Sequence, residues 1–298
     1  RLEESYGEDA YLGAAMGVAF MQGMQHDGDL RSGVAGCSKH FLGYGGGGNA
    51  DKKELYEEIL LPHEAIIRKA GSRVIMTGYH DIDGVKCVAN SWLQKELLRD
   101  YLHFDGVTVS DYESIKQIPH SDALRQYSPL ERCCIAFNAG NDVDFPHGDS
   151  YDHLLQAVNE GFVPREDFEA AVKRVLLLKE SLGLLDNNPT LYNSGDIQFD
   201  TDAERQTAYM LATQSGGLLQ NRKLSDGNTV LPLQGPRRIF LTGPNANSMW
   251  AMVGDYTYPS MVYFWQQREC DSEHPHIVKL TEGMTSRKPA DIDLTYSR

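Results

Sequence analysis

The chain has 298 residues, of which 41% are hydrophobic and 23% charged, so it can bury a core as one large domain or two smaller ones. This composition excludes disordered, collagen-like and coiled-coil proteins. Lys and Arg number 28 against 42 Asp and Glu, a formal net charge of -14, so we expect no nucleic-acid partner. The uncharged apolar runs are short, and we expect no membrane-spanning segment.

The spacing of the cysteines and the N-terminal residues indicate the cellular location of the protein. Five cysteines show neither a disulfide framework nor CxxC spacing, so we expect reduced thiols. The chain opens with Arg-Leu-Glu-Glu and no Met, so we expect that its true N-terminus is missing. No signal peptide is visible, which slightly favours a cytoplasmic location and leaves a periplasmic or secreted one open.

Short apolar runs alternate with helical patterns between residues 10 and 185. The predicted strands are Val34–Lys39, Arg73–Tyr79, Gly106–Asp111 and Asp142–Phe145. The predicted helices are Glu54–Ala70, Leu130–Ala139 and Glu166–Leu182. Pro62 should kink the first helix or start a new one, and Ser128 with Pro129 should begin the second, before a stop at Gly140. Strands that alternate with helices predict parallel βα units.

The composition changes after residue 185. Asp186–Thr201 is rich in Asn, Asp, Pro, Ser and Gly, which is typical of a linker. A helix is predicted over Asp202–Gln220, and a buried strand over Arg238–Thr242. These elements indicate the start of a second α/β domain.

Parallel βα units place functional groups at the carboxyl ends of their strands. This rule selects Lys39, His40, Tyr79, His80, Asp111, Tyr112, Asp144 and His147. The sequence has no nucleophile elbow, P-loop, HExxH motif or dinucleotide fingerprint. A carboxylate with hydroxyl-binding neighbours suits sugar chemistry best.

Six segments then form a familiar series. They are Arg1–Asp9 (RLEESYGED), Ser38–Tyr44 (SKHFLGY), Glu54–Glu64 (ELYEEILLPHE), Met76–Asn90 (MTGYHDIDGVKCVAN), Phe104–Tyr112 (FDGVTVSDY) and Ala139–His147 (AGNDVDFPH). In this order they resemble glycoside hydrolase family 3, the β-glucosidase and β-xylosidase family, over almost the full chain.

The resemblance implies an α/β fold, a partial (β/α)8 TIM-type barrel followed by the start of an α/β sandwich domain. Residues 1–185 would be the C-terminal part of the barrel, 186–205 a linker and 206–298 the beginning of the sandwich. Because four parallel strands cannot close a barrel, we expect the chain to be a fragment of a longer protein.

The resemblance also implies roles for individual residues. Asp111 would be the nucleophile of a retaining mechanism and form a covalent glycosyl-enzyme. Substrate would be bound by Arg1, Lys39, His40, Tyr79 and Tyr112. A helix N-cap for Asp111, a solvated strand end for the Lys-His pair and simple packing for the two tyrosines remain open alternatives.

Two departures from the family pattern matter. The general acid/base Glu is expected beyond Arg298, so none of Glu269, Glu273 and Glu282 is nominated. The loop Gly43–Asn49 is short and lacks the Asp-Ser-His context of the N-acetylglucosaminidase branch, which argues against that branch.

The sequence therefore predicts a retaining glycosidase, with β-glucosidase specificity favoured over β-xylosidase. Its substrate would be a small oligosaccharide or an aryl or alkyl β-glycoside, and no metal or organic cofactor is expected because two carboxylates suffice. A non-catalytic carbohydrate-binding or interaction protein of the same fold is the main alternative. A third alternative is a nucleotide-binding protein. Its only support is the run Gly45–Gly48, which lacks the following Lys and Ser/Thr of a phosphate-binding loop. Cys270, His274 and His276 lie in a polar stretch and are read as a solvated loop rather than a metal site.

Overall fold

The computed structural model describes residues 4–45, 50–118, 126–186, 198–233, 235–266 and 277–297. The chain divides into two compact units, residues 1–191 and 192–298. Among the helices described, none combines the length and apolar character needed to cross a bilayer.

Both units contain strands and helices. The strands described are β1 (Cys37–Phe41), β2 (Val74–Thr77), β3 (Asp81–Ile82), β4 (Val85–Lys86), β5 (Val107–Val109), β6 (Arg237–Thr242) and β7 (Ile292–Ser297). The α-helices of eight or more residues, or that pack in the core, are α1 (Ala10–Met24), α2 (Leu60–Ala70), α3 (Pro129–Ala139), α4 (Leu154–Asn159), α5 (Arg165–Ser181), α6 (Asp202–Gln214), α7 (Tyr258–Gln266) and α8 (Leu280–Arg287). A π helix spans Trp92–Tyr101.

The first unit is built on a parallel sheet with the strand order β1-β2-β5. One apolar cluster contains Phe41 and Ile75 with Leu60 of α2 and Leu98 of the π helix. A separate cluster contains Val107 and its neighbours on the sheet, against which α5 packs. The sheet is therefore covered by helices on both faces, as parallel sheets are.

The first strand begins later than the sequence predicted. Val34 donates its backbone N–H to Met24 at the end of α1, over 2.8 Å, rather than to a strand. A Cβ on Gly36 would lie 2.1 Å from the sulfur of Met21, so this segment passes too close to α1 for any side chain. Pairing with β2 starts only at Cys37 and the strand ends at Phe41, so both Lys39 and His40 lie within β1, whereas the predicted strand ended at Lys39.

The fourth predicted strand, Asp142–Phe145, is reduced to a single bridge between Val143 and Val109. Backbone bonds from Asp142 and Val143 to Thr108 remain, and side chains make other contacts of this pair. The N–H of Thr108 donates to the Asp142 carboxylate at 3.0 Å, and the N–H of Phe145 donates to the Ser110 hydroxyl at 2.8 Å. The prediction of a regular strand was wrong, because the N–H groups of Thr108 and Phe145 bind side chains rather than backbone carbonyl groups.

The helices follow the sequence signals closely. Ser128 caps α3 in a capping box with Glu131, and Gly140 ends the helix with a φ of 112°. The first predicted helix starts earlier, at Lys52, and runs through a π turn over Leu55–Ile59 before α2 begins. The change from π to α pattern lies just before Pro62, which lacks the N–H that a regular helix would use.

The second unit pairs β6 with β7 in parallel. Alternate residues of β6 are exposed, so it is a half-buried strand and not the fully buried one expected. Helix α6 ends at Gln214, before Gly216 and Gly217, and is shorter than predicted. Most of the predicted linker, residues 187–197, lies outside the described residues; Thr201 and Asp202, at its far end, already form the cap and first turn of α6.

Candidate active site

Asp111 follows β5 and carries a carboxylate that is buried, with the residue 6% exposed. Its Oδ1 accepts a hydrogen bond of 2.7 Å from the N–H of Tyr112. Its Oδ2 accepts none from the part of the chain described and lies 3.4 Å from Nε2 of His40. Ser114 occupies the N-cap position of the next helical turn, so Asp111 is not the N-cap that the sequence left open. One carboxylate oxygen is thus fixed, and the other is left for a different partner.

His40 lies between two carboxylates. Its Nε2 faces Asp111, and its Nδ1 lies 3.9 Å from Oε2 of Glu4. Burial, together with the positive charge of Lys39, lowers the pKa of His40, although the charges of Asp111 and Glu4 act in the opposite direction. The ring is therefore neutral near pH 7, and it can donate from one nitrogen and accept at the other.

Lys39 is also in contact with Glu4. Its Nζ lies 3.7 Å from Oε1 of Glu4, so this single carboxylate approaches both members of the Lys-His pair. The Glu4 side chain is only 10% exposed, whereas that of Lys39 is 36% exposed. A buried carboxylate beside a cation orients its side chain, because the pair is screened less than at the surface.

Aromatic side chains border these polar groups. Tyr79 donates its hydroxyl to the carbonyl oxygen of Tyr112 at 2.7 Å. The ring of Tyr112, on a residue that is 45% exposed, packs edge-on against Phe145 with 6.2 Å between centroids. The ring of Tyr44 lies 4.7 Å from that of His40 and 6.3 Å from that of Tyr79. Rings surrounding a few convergent polar groups are typical of a ligand site.

Other residues at the strand ends play different parts. The ring of His80 makes a 2.6 Å contact from Nε2 to the carbonyl oxygen of Leu42 and lies against the sulfur of Cys87, and its burial lowers its pKa. Asp144 is buried and bonded within the unit, whereas His147 is exposed at the surface.

Several residues singled out in the sequence lie outside the described residues. They are Arg1, Gly46–Gly48, Cys270, His274 and His276. Over the ranges that the structure does describe, no group of three or more His, Cys, Asp or Glu side chains could hold a metal ion.

Sequence reasoning missed Glu4, Tyr44 and Phe145. Glu4 lies before α1 and outside every predicted strand, so a rule based on the ends of those strands could not select it. Its only signal was its place in the RLEESYGED segment, three residues after Arg1. Tyr44 and Phe145 read as ordinary apolar positions, and only the fold brings their rings to the site.

The family model described as the glycosyl hydrolase family 3 N terminal domain matches residues 1–178. The chain belongs to this family. Family 3 relatives include a β-xylosidase of Formosa agariphila, 33% identical over 276 residues, which covers 86% of this chain and 37% of the relative. A β-glucosidase of Rhizobium radiobacter is 32% identical over 260 residues, covering 84% of this chain and 28% of the relative.

Solved family 3 structures have the same fold. A β-glucosidase from Listeria innocua in complex with gluconolactone matches with a TM-score of 0.82 and 27% identity. It covers 100% of this chain and 40% of the Listeria chain. The chain therefore spans well under half the length of these family members. The mixed α/β architecture is that of the family, and in the described residues the sheet of the first unit is open rather than closed into a barrel.

Proposed function

We propose that this chain carries the nucleophile half of a retaining glycoside hydrolase that acts on β-glucosides. The observation that carries the proposal is the Asp111 carboxylate, with Oδ1 held by the Tyr112 N–H and Oδ2 left without a hydrogen-bond donor among the described residues. A buried polar atom without a partner needs an explanation. An oxygen that has to attack a substrate carbon is such an explanation, because a donor would have to be displaced first.

The chemistry follows a double displacement. Asp111 Oδ2 attacks the anomeric carbon, the bond to the leaving oxygen breaks, and that oxygen takes a proton from a general acid. The resulting glycosyl ester on Asp111 is then hydrolysed by water, which gives a proton to the same acid/base group. We assign the acid/base role to none of the residues described.

The neighbours of Asp111 suit the binding of sugar hydroxyls. Lys39 supplies N–H donors, and neutral His40 supplies one donor and one acceptor. Tyr79 and Tyr112, joined by their hydrogen bond, form one side of the site, and Arg1 is proposed to orient the substrate as the family resemblance implies.

We further propose that the first unit is part of a (β/α)8 barrel and the second the start of an α/β sandwich, joined across residues 186–205. The order β1-β2-β5, continued by the Val109–Val143 bridge, supports this because the parallel strands are adjacent in the sheet in the order in which they occur along the chain. Sequential parallel strands joined by helices are how such barrels are built.

Glucosides are favoured over xylosides because the structural relatives include glucosidases in complex with glucose and with gluconolactone. A β-xylosidase specificity is the second candidate, favoured by the Formosa relative. The two are separated by kcat/KM of the full-length protein on 4-nitrophenyl β-glucoside and β-xyloside. We expect the larger value with the glucoside, and a larger value with the xyloside would reverse the assignment.

Substitution of Asp111 tests catalysis itself. In Asp111→Asn the charge that attacks carbon is lost while the shape is kept, so turnover should fall by several orders of magnitude, up to about 10⁶-fold. Asp105→Asn is the matched control, because Asp105 is an exposed carboxylate just before the same strand. Wild-type protein that cleaves neither glycoside but binds glucose would favour the non-catalytic carbohydrate-binding alternative.

A further inference from the structure

Asp144 is a buried carboxylate that the proposed reaction does not use. The residue is 4% exposed, and it lies two positions after Asp142 in the segment that borders β5. Its Oδ2 accepts the N–H of Ser150 at 2.9 Å, and its Oδ1 lies 3.3 Å from the hydroxyl of Ser110. Ser110 directly precedes Asp111 and is fully buried.

The Ser110 hydroxyl can donate its proton to only one of its partners. Ser110 Oγ accepts the N–H of Phe145 at 2.8 Å, so its own proton is donated to the remaining partner, Asp144. A hydroxyl has only one proton to donate, which fixes the polarity of the chain from Phe145 through Ser110 to Asp144. Asp144 therefore sets the orientation of the Ser110 side chain.

Backbone bonds hold the same two segments together on either side of Asp111. The N–H of Ser110 donates to the carbonyl oxygen of Val143 at 2.9 Å, and the N–H of Glu113 donates to that of Phe145 at 3.0 Å. With the Ser110–Asp144 contact, these bonds tie the residues before and after Asp111 to one rigid neighbour. Because Asp111 lies between Ser110 and Glu113 in the chain, its position depends on these hydrogen bonds.

We infer that Asp144 is a positioning residue, which acts through Ser110 to hold the Asp111 carboxylate in line for attack on the anomeric carbon. The inference rests on the proposed function of Asp111. Reaction rates depend steeply on such alignment, and a misplacement of about 1 Å can cost about 100-fold. Ground-state binding of the sugar depends on other side chains and should change little.

The test compares Asp144→Asn and Ser110→Ala with wild type in the full-length protein. The Ser110 hydroxyl and the Ser150 N–H donate to different oxygens of Asp144, and an amide has an NH2 group in place of one of them, so one of the two donors would face another donor. Ser72→Ala is the matched control: Ser72 is also buried and its hydroxyl makes one hydrogen bond, to Val74, but at the opposite end of β2. The number of competent sites in each protein is counted by stoichiometric labelling with 2,4-dinitrophenyl 2-deoxy-2-fluoro-β-glucoside.

Counting sites separates positioning from loss of folded protein. We expect kcat per labelled site, and the rate of labelling at saturation, to fall about 10- to 100-fold in both variants, with KM within about twofold. For Ser72→Ala, kcat per labelled site and the rate of labelling should equal those of wild type. Unchanged rates per site in Asp144→Asn and Ser110→Ala, with only fewer sites, would overturn the positioning role. Wild type that is not labelled on Asp111 would instead overturn the proposed function and the inference with it.

Discussion

Nε2 of His40 lies 3.4 Å from Oδ2 of Asp111, although β1 and β5 are not neighbours in the sheet. Adjacent strands are about 4.8 Å apart, so the two side chains must meet across the end of β2. Gly78 follows β2 at this point, and a Cβ there would lie 3.4 Å from Cβ of His40 and 2.7 Å from the ring of His80. The absence of a side chain at Gly78 leaves room for the His40–Asp111 contact.

Lys39→Ala should impair the enzyme differently from Asp111→Asn. The substitution removes donors to substrate hydroxyls, which bind the substrate and strengthen at the transition state, so KM should rise and kcat should fall. The loss should be smaller than that for Asp111→Asn. Steady-state kinetics on an aryl β-glucoside measure both constants, with exposed Lys53→Ala as the control. A rise in KM with unchanged kcat would show that Lys39 binds the substrate and the transition state equally, and would contradict this prediction.

Glu4→Gln should weaken the site without touching the nucleophile. It removes the negative charge shared by Lys39 and His40, and we expect kcat/KM to fall about tenfold as both side chains lose their orientation. The charge of Glu4 also raises the pKa of His40, so an NMR titration should show this pKa moving further below its ordinary value. Glu8→Gln, an exposed change in the same segment, should alter neither quantity. An unmoved His40 titration would contradict the contact.

Asp142→Ala should destabilise the first unit severely. The Asp142 side chain is 2% exposed and binds Arg99 at 3.0 Å and Arg174 at 2.6 Å, which joins the π helix and α5 to the strand residue Thr108. Removing one partner of a buried ion pair costs about 3–5 kcal/mol, because the remaining charges lose their compensation. Urea denaturation measures the change in the free energy of unfolding. Asp105→Ala, which removes an exposed carboxylate, should shift the midpoint far less, and equal shifts would refute the role of this network.

His63 should make the fold sensitive to acid. Its Nδ1 lies 2.8 Å from the hydroxyl of Ser38, and burial, with the nearby charge of His40, lowers its pKa from 6.5 to about 4. Between these values the unfolded chain binds a proton that the folded chain does not, so the free energy of unfolding decreases as the pH falls from 6.5 to 4 and is unaffected by His63 at higher pH. One pKa unit corresponds to about 1.4 kcal/mol, which limits the contribution to about 3 kcal/mol.

The matched variant for this prediction is His63→Gln, which cannot gain a charge. The difference in unfolding free energy between wild type and His63→Gln should be constant above pH 6.5 and should shift in favour of the variant as the pH falls toward 4. Urea denaturation at a series of pH values measures it. A difference that is constant over the whole range would contradict a buried, neutral His63.

The sequence was sufficient to predict those helix limits that depend on residues close together in the chain. Ser128, Pro129 and Gly140 set the limits of α3 because capping depends on neighbouring residues. The start of β1 and the loss of the fourth strand could not be predicted, because they depend on the close approach of Gly36 to α1 and on the hydrogen bond from Phe145 to Ser110. These are contacts between residues distant in sequence.

The candidate site shows the same division. The rule of strand ends selected His40 and Asp111, and the fold places them in contact. The rule says nothing about a residue such as Glu4, which reaches the site from the segment before α1. It also could not separate Asp144, buried beneath the site, from exposed His147, since that difference depends on which side chains Ser110 and Ser150 face.

The most direct test of the account is the site of covalent labelling in the full-length protein. The 2-fluoro glycoside forms the glycosyl-enzyme faster than the intermediate breaks down, so the labelled peptide can be isolated by proteolysis and sequenced by mass spectrometry. We predict one sugar per chain, on Asp111, in the peptide that contains residues 106–116. A label on any other carboxylate would contradict the assignment of Asp111 as the nucleophile.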